Sequence, residues 1–164
     1  TSLNKMAGLL RVTLENINKD LVSYDSEYKI CEYYMYLEGL RFSEKFDFQI
    51  EPLTDFKTKN WQLPAGIIEP FLENSVNQSF NSIRKKGLIT MGQQIKNECL
   101  VITIRDNGSS TAENVMSERY SHGLSISQDI ISATSRLYGK EIKLEIKTDS
   151  GTHIIITIPV LKPA

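Results

Sequence analysis

The stretch LVITIRDNG, Leu100 to Gly108, decides the fold. Leu100, Ile102 and Ile104 alternate with Val101, Thr103 and Arg105, which is the period of a strand with one core face. Asp106-Asn107-Gly108 ends it, because Asp and Asn bond to nearby backbone and Gly accepts unusual φ values. Upstream, residues 88–95 predict a partner strand, joined to this one by the polar turn Lys96-Asn97-Glu98. Downstream, residues 142–147 and 152–159 predict two more, with Asp149-Ser150-Gly151 as their hairpin turn. A fifth strand is read at Phe46, Phe48 and Ile50, which alternate with Asp47, Gln49 and Glu51.

Between the strands the period changes to that of a helix. Pro64 fits the first turn of a helix over 64–80. Ile67, Ile68, Phe71, Leu72, Ser75 and Val76 form its wide inward face, and Glu73, Asn74, Asn77 and Asn81 lie opposite. Gly123 opens another helix to about Tyr138, with Leu124, Ile126, Ile130, Ile131 and Leu137 as apolar positions and Gly139 as the stop. Pro52–Asn60 and residues 109–121 read as polar loops. Five strands and two long helices make a two-layer α/β sandwich, with one face of the sheet covered.

Two helices precede this body. Leu3, Met6, Leu10, Leu14, Ile17 and Leu21 step by three and four residues, a narrow seam of the kind helix bundles use. Ser23 is the expected N-cap of a second helix running to about Phe42, apolar on two sides. The chain therefore divides into a helical segment, 1–42, and an α/β body, 43–164. The first seam is already in phase at Thr1, which suggests a piece of a longer protein.

Composition narrows the function. At 164 residues, folding buries roughly 68–70% of the chain's surface without disulfides or metals. Nineteen basic and twenty acidic residues leave a net charge of −1, which excludes a nucleic-acid binder built on bulk positive charge. No apolar run approaches the ~20 residues of a membrane helix. Cys31 and Cys99 both fall in periodic segments and read as buried, reduced thiols of a cytoplasmic chain.

Three groups stand out: Glu73-Asn74 on a helix, Asp106-Asn107-Gly108 at the end of an interior strand, and Gly151-Thr152 before the last strand. Each has an ordinary reading beside it. Asn-Gly is a common turn, and the polar face of residues 73–81 could be solvated surface. Asn is a poor helix former, however, so three on one face point to a demand other than stability. His153 reads as a surface or half-buried strand residue. His122, at a loop–helix junction, faces either phosphate or water.

Taken in order, AGLLRVTL, YYMYLEGLRFSEKFDFQIE, LPAGIIEPFLENSVNQS, LVITIRDNG, SHGLSISQDI and SGTHIIITIPV resemble the GHKL superfamily of ATP-binding domains. Within it, they resemble the ATP-binding end of LytS-type sensor histidine kinases. The resemblance implies the GHKL (Bergerat) sandwich, with residues 1–42 as the end of a dimerisation region. It implies ATP and Mg²⁺ as ligands. Asn74 would hold the metal, with Glu73 beside it orienting water or the metal shell. Asp106 would accept from the adenine amino group, Gly108 would let backbone approach the base, and Thr152 would bond the adenine edge. Gly123 and Leu124 would open a helix towards the phosphates, and Asn77 would lie near the same site.

The match departs on the phosphate side. Ser110 and Ser121 stand where the family has glycines, and Asn77-Gln78-Ser79 replaces a common Lys-His-Gly. Only His122 and His153 are present, neither at the place of the family's phosphoacceptor. The resemblance thus implies a cytoplasmic fragment of a membrane-anchored, homodimeric kinase. Its phosphoacceptor would lie upstream, and the phosphoryl group would pass on to a response regulator. The alternative is a degenerate body kept for dimerisation and partner docking. A third reading, a serine kinase acting on a partner protein, fits the Tyr-rich second helix less well.

Overall fold

In the computed structural model, residues 1–42, 45–79, 86–108, 118–148 and 150–161 are described. Along the chain come α1 (Ser2–Asn16), β1 (Leu21–Ser23), α2 (Tyr24–Arg41), β2 (Phe46–Ile50), α3 (Phe56–Lys59) and β3 (Gln62–Pro64). They are followed by α4 (Glu69–Ser79), β4 (Gly87–Lys96), β5 (Cys99–Asp106), α5 (Glu118–Tyr138), β6 (Lys143–Lys147) and β7 (His153–Pro159). β1 and β3 form a small antiparallel pair, and the other strands form one sheet in the order β2-β4-β5-β7-β6. β2 runs parallel to β4, and every other pairing in the sheet is antiparallel. The architecture is the expected α/β sandwich.

Alternation decides which face is covered. Ile102 and Ile104 on β5, Ile154, Ile156 and Ile158 on β7, and Ile89 and Met91 on β4 are buried, while the residues between them are half-buried or exposed. Phe71, Leu72 and Val76 of α4 and Ile131 of α5 join the same cluster. α4 packs on β4, β5 and α5. The tight β4–β5 turn puts Asn97 and Glu98 at φ +50° and +56°, the mirror-image geometry that matches strand twist.

Several expected boundaries move. The first helix ends at Asn16, not Leu21, because Leu21–Ser23 pairs with Gln62–Pro64. Ser23 does cap α2, its side chain accepting from Ser26 N at 3.3 Å. The helix expected from Pro64 starts at Glu69. Pro64 instead ends a short strand, a place that tolerates its missing N–H, and Gly66 turns the chain at φ +72°. The loop over 52–60 contains α3, capped by the Asp55 carboxylate, which accepts from Thr58 N at 2.7 Å. α5 begins at Glu118, so Gly123 lies inside a helix rather than opening one; glycine permits a helix start but does not impose one. Ile126 and Leu137, read as inward, are exposed, and Cys99 is only half-buried. Residues 109–117, Asn81 and Asp149 lie outside the described residues.

α1 and α2 form a close hairpin. A Cβ on Gly8 would sit 2.8 Å from the Tyr33 ring, so a larger residue there would push that ring aside. Buried Asn16 donates its amide to Ser26 Oγ at 3.1 Å. The seam Leu3, Met6, Leu10, Leu14 and Ile17 faces outward, each residue more than half exposed. Among the described residues no helix is long and apolar enough to cross a membrane.

α2 is tied to the start of α4 by Glu27. It is buried, and its Oε1 accepts from Gly66 N at 2.9 Å. Its Oε2 is enclosed without a partner among the described residues. Burial, opposed by the backbone N–H of Gly66 and reinforced by nearby Glu69, pushes the Glu27 carboxyl up to about 7. A carboxyl raised in this way favours the protonated native state. Its contribution is complete below the ordinary 4.5 and is lost as pH rises through about 7. Glu27→Gln keeps an acceptor for Gly66 and removes the titration. Between pH 4.5 and about 7 the native protein should lose up to about 3 kcal/mol relative to this variant, read by urea unfolding. Parallel pH profiles for the two proteins would exclude this role.

Candidate functional site

The site grows from the end of β5. Alternation along the strand turns Asp106 to the side of buried Ile102 and Ile104, so its carboxylate is carried under the helices. There it does three things at once. Its N–H donates to Thr152 O at 3.0 Å. Its Oδ1 accepts from Gly108 N at 2.9 Å and from Thr152 N at 3.2 Å. Its Oδ2 is enclosed with no partner among the described residues. A buried acceptor left unsatisfied costs about 1–3 kcal/mol, so this oxygen is primed for a donor from outside the chain.

Two neighbours fix that carboxylate. Asn107 N donates to Leu88 O at 3.2 Å, and its Oδ1 accepts from Leu88 N at 2.7 Å, fastening the end of β5 to the start of β4. Gly151, at φ +114°, lies against Asp106 so closely that a Cβ would stand 1.9 Å from its backbone oxygen. The Asn-Gly signal is thus a turn and a scaffold together: Asn107 locks the strand, while Gly108 donates to the carboxylate.

On α4, Asn74 is buried and its Nδ2 has no partner among the described residues. The expectation that it shares a solvated face with its neighbours is corrected: Glu73 and Asn77 are exposed, and Asn74 is not. Burial first, and then the charges of Glu38 and Glu73, push the Tyr34 hydroxyl up, and burial followed by Glu73 raises the Glu69 carboxyl. A carboxamide presents an oxygen or an amine on rotation about its terminal bond, so Asn74 can serve a cation or an acceptor.

The sequence reading missed Ser127, which is fully buried on α5 with an unpartnered Oγ among the described residues. Its signal was present: Ser127 falls at the apolar spacing between Leu124 and Ile131, where an aliphatic residue is expected. Leu124 is half-buried and six positions into α5, so it does not form the helix's first turn. Asp106, Gly108 and Thr152 are joined by direct hydrogen bonds, whereas Asn74 stands on α4, which packs on β5. Among the described residues no cluster of three or more His, Cys, Asp or Glu side chains could hold a metal unaided. A cation here would need oxygens from a ligand beside Asn74.

No family model matches the chain. It is 26% identical over 162 residues to the sensor histidine kinase YesM of Bacillus subtilis, covering 96% of this chain and 28% of that protein. It is 29% identical over 107 residues to the sensor protein LytS of Staphylococcus haemolyticus, covering 65% of this chain and 18% of that one. The chain therefore spans less than a third of these relatives. Among solved structures, the histidine kinase domain of the blue-light-activated kinase of Erythrobacter litoralis superposes with a TM-score of 0.63 at 16% identity, covering 98% of this chain and 75% of that one. The histidine kinase ThkA, solved with the response regulator protein TrrA, gives 0.59 at 14% identity, covering 96% and 48%. At such identities the structures establish the fold.

The contact between Gly151 and Asp106 allows a direct check. Gly151→Ala should displace the β5 end, lowering the unfolding midpoint by several degrees and shifting the Gly108 and Thr152 amide resonances. A variant with the wild-type midpoint and spectrum would show that the contact carries no constraint.

Proposed function

We propose that the chain, which has the fold of histidine-kinase domains and is similar in sequence to the YesM and LytS sensor kinases, is a GHKL-type kinase domain that binds ATP with Mg²⁺ and presents the γ-phosphoryl group to a histidine of the same protein outside this segment. The observation carrying this reading is the enclosed, unpaired Oδ2 of Asp106 beside Thr152. Adenine offers an amino donor at its 6-position, which such an oxygen accepts. Guanine offers a carbonyl there and would set acceptor against acceptor. A hydrogen bond to a charged group is worth about 1.5–3 kcal/mol, enough to select the base.

The enclosed amide of Asn74 fits a hard cation shared with phosphate oxygens. Mg²⁺ bound there would neutralise charge on the transferring phosphoryl group. The chain's own residues position and orient: Asp106 and Thr152 fix the base, Gly108 keeps the backbone close to it, and Asn74 holds the phosphate end. Asn77 and Glu73 are exposed on the same helix, where Glu73 can orient water or the metal shell. The phosphoryl group then passes to a response regulator, the kind of partner with which ThkA was solved.

The outward seam of α1 supports a second proposal, that this segment pairs with another copy of the chain in a homodimeric, membrane-anchored parent. Leu3, Leu14 and Ile17 are each about two-thirds exposed or more, an arrangement that a helix bundle would cover. Residues 1–42 are then the end of the dimerisation region, and residues 43–164 the catalytic body.

Two experiments test these readings. Asp106→Asn preserves Oδ1 for Gly108 and Thr152 and turns only the free oxygen into a donor. Calorimetry with a non-hydrolysable ATP analogue and Mg²⁺ should show Mg²⁺-dependent binding that this variant weakens roughly tenfold to a hundredfold. Silence in both proteins would favour a degenerate body kept for docking. For the seam, the Leu10→Glu/Leu14→Glu double variant should sediment as the 18.6 kDa monomer while the wild type sediments as a dimer. Identical sedimentation would exclude pairing through α1.

A further inference from the structure

The face of the sheet turned away from α4 carries two cations on either side of an imidazole. Arg105 on β5 lies opposite His153 on β7, and His153 lies opposite Lys147 on β6. Neighbours in such a row stand roughly 4.5–5.5 Å apart at Cβ, so the two cations flank one imidazole. Arg105 makes no ion pair among the described residues, and Lys147 has only a loose, exposed pair with Glu145 at 3.8 Å. The three side chains line a groove of about 240 Å³ with Ser150, Gly151 and the two residues at the end of the nucleotide site, Asp106 and Thr152. His153 Nε2 is enclosed and has no hydrogen-bond partner among the described residues.

Arg105 and Lys147 flank the imidazole and concentrate positive potential over it, and an enclosed ring nitrogen without a partner carries a cost of its own. One ligand would relieve both. We propose that Arg105, His153 and Lys147 form a binding site for a phosphate group, on the face of the sheet opposite the free oxygen of Asp106. A phosphate carries about −1.5 to −2 charges and several acceptor oxygens. Arg supplies a planar fork for two of these oxygens, Lys supplies a point charge, and the His153 N–H supplies a donor between them. Burial first, and then the charges of Arg105 and Lys147, hold His153 below its ordinary value, with Glu145 opposing. A bound dianion would push it back up. The row's side chains lie on the other face of the sheet from Asp106 Oδ2, but the groove shares Asp106 and Thr152 with the nucleotide site, so the test substitutes the row and leaves those two residues in place.

The test is an NMR titration of the whole chain at pH 7 and constant ionic strength. Orthophosphate, O-phosphoserine and chloride are compared, following the His153 ring and the amides of Ser150, Gly151 and Thr152. Saturable shifts with phosphate but not chloride are expected, with an upward move of the His153 titration and at least tenfold weaker binding in Arg105→Gln/Lys147→Gln. Both positions are exposed, and the unperturbed remainder of the spectrum reports that the variant is folded. Tighter binding of the phosphomonoester would assign the group to a larger molecule, and equal binding to free phosphate; either supports the site. Shifts that do not saturate, that chloride reproduces, or that persist unchanged in the double variant would overturn it.

Discussion

Two strand ends meet at Asp106, and the pocket depends on how completely that residue is committed. Its backbone and one carboxylate oxygen are spent on Thr152 and Gly108, and Gly151 leaves no room for the carboxylate's support to shift. The remaining oxygen is fixed in place, buried and unpaired. A ligand donor therefore meets an acceptor whose orientation has already been set by folding, so little ordering entropy is lost on binding. The same junction closes the sheet, because Asn107 ties β5 to β4 immediately beside it.

The two faces of the sheet follow from one alternation. Residues 102, 104 and 106 turn under the helices, and residues 101, 103 and 105 turn away. The first set ends in a carboxylate with one buried, unpartnered oxygen; the second ends in Arg105, in line with His153 and Lys147. One residue of register thus separates an acceptor from a cationic groove, and a slip of one position would exchange them. Glu27 adds a link at a distance, since its carboxylate joins α2 to the turn from which α4, and so Asn74, departs.

Much of this was legible in the sequence because strands declare themselves by alternation. The five strands, the Ser23 cap and the β4–β5 turn rest on local patterns. What was not legible depended on partners far along the chain. Leu21–Ser23 looks like the end of a helix until Gln62–Pro64 pairs with it, and that pairing also removes Pro64 from the helix it was expected to begin. Gly123 looked like a helix start because glycine permits one. Asn74 was read with the polar face of α4, since helical spacing alone cannot tell a solvated amide from one enclosed by packing against a neighbouring helix and sheet. Ser127 was overlooked for the opposite reason: a hydroxyl at an apolar position reads as noise until its burial is seen.

The central claim is that the orphaned oxygen of Asp106 and the enclosed amide of Asn74 serve one ligand. The most direct measurement is a crystal structure of the chain with Mg²⁺ and a non-hydrolysable ATP analogue. The purine amino group should lie within hydrogen-bonding distance of Asp106 Oδ2, with the metal joining Asn74 to the phosphates. A nucleotide bound elsewhere, with both side chains still enclosed and unpartnered, would contradict the account.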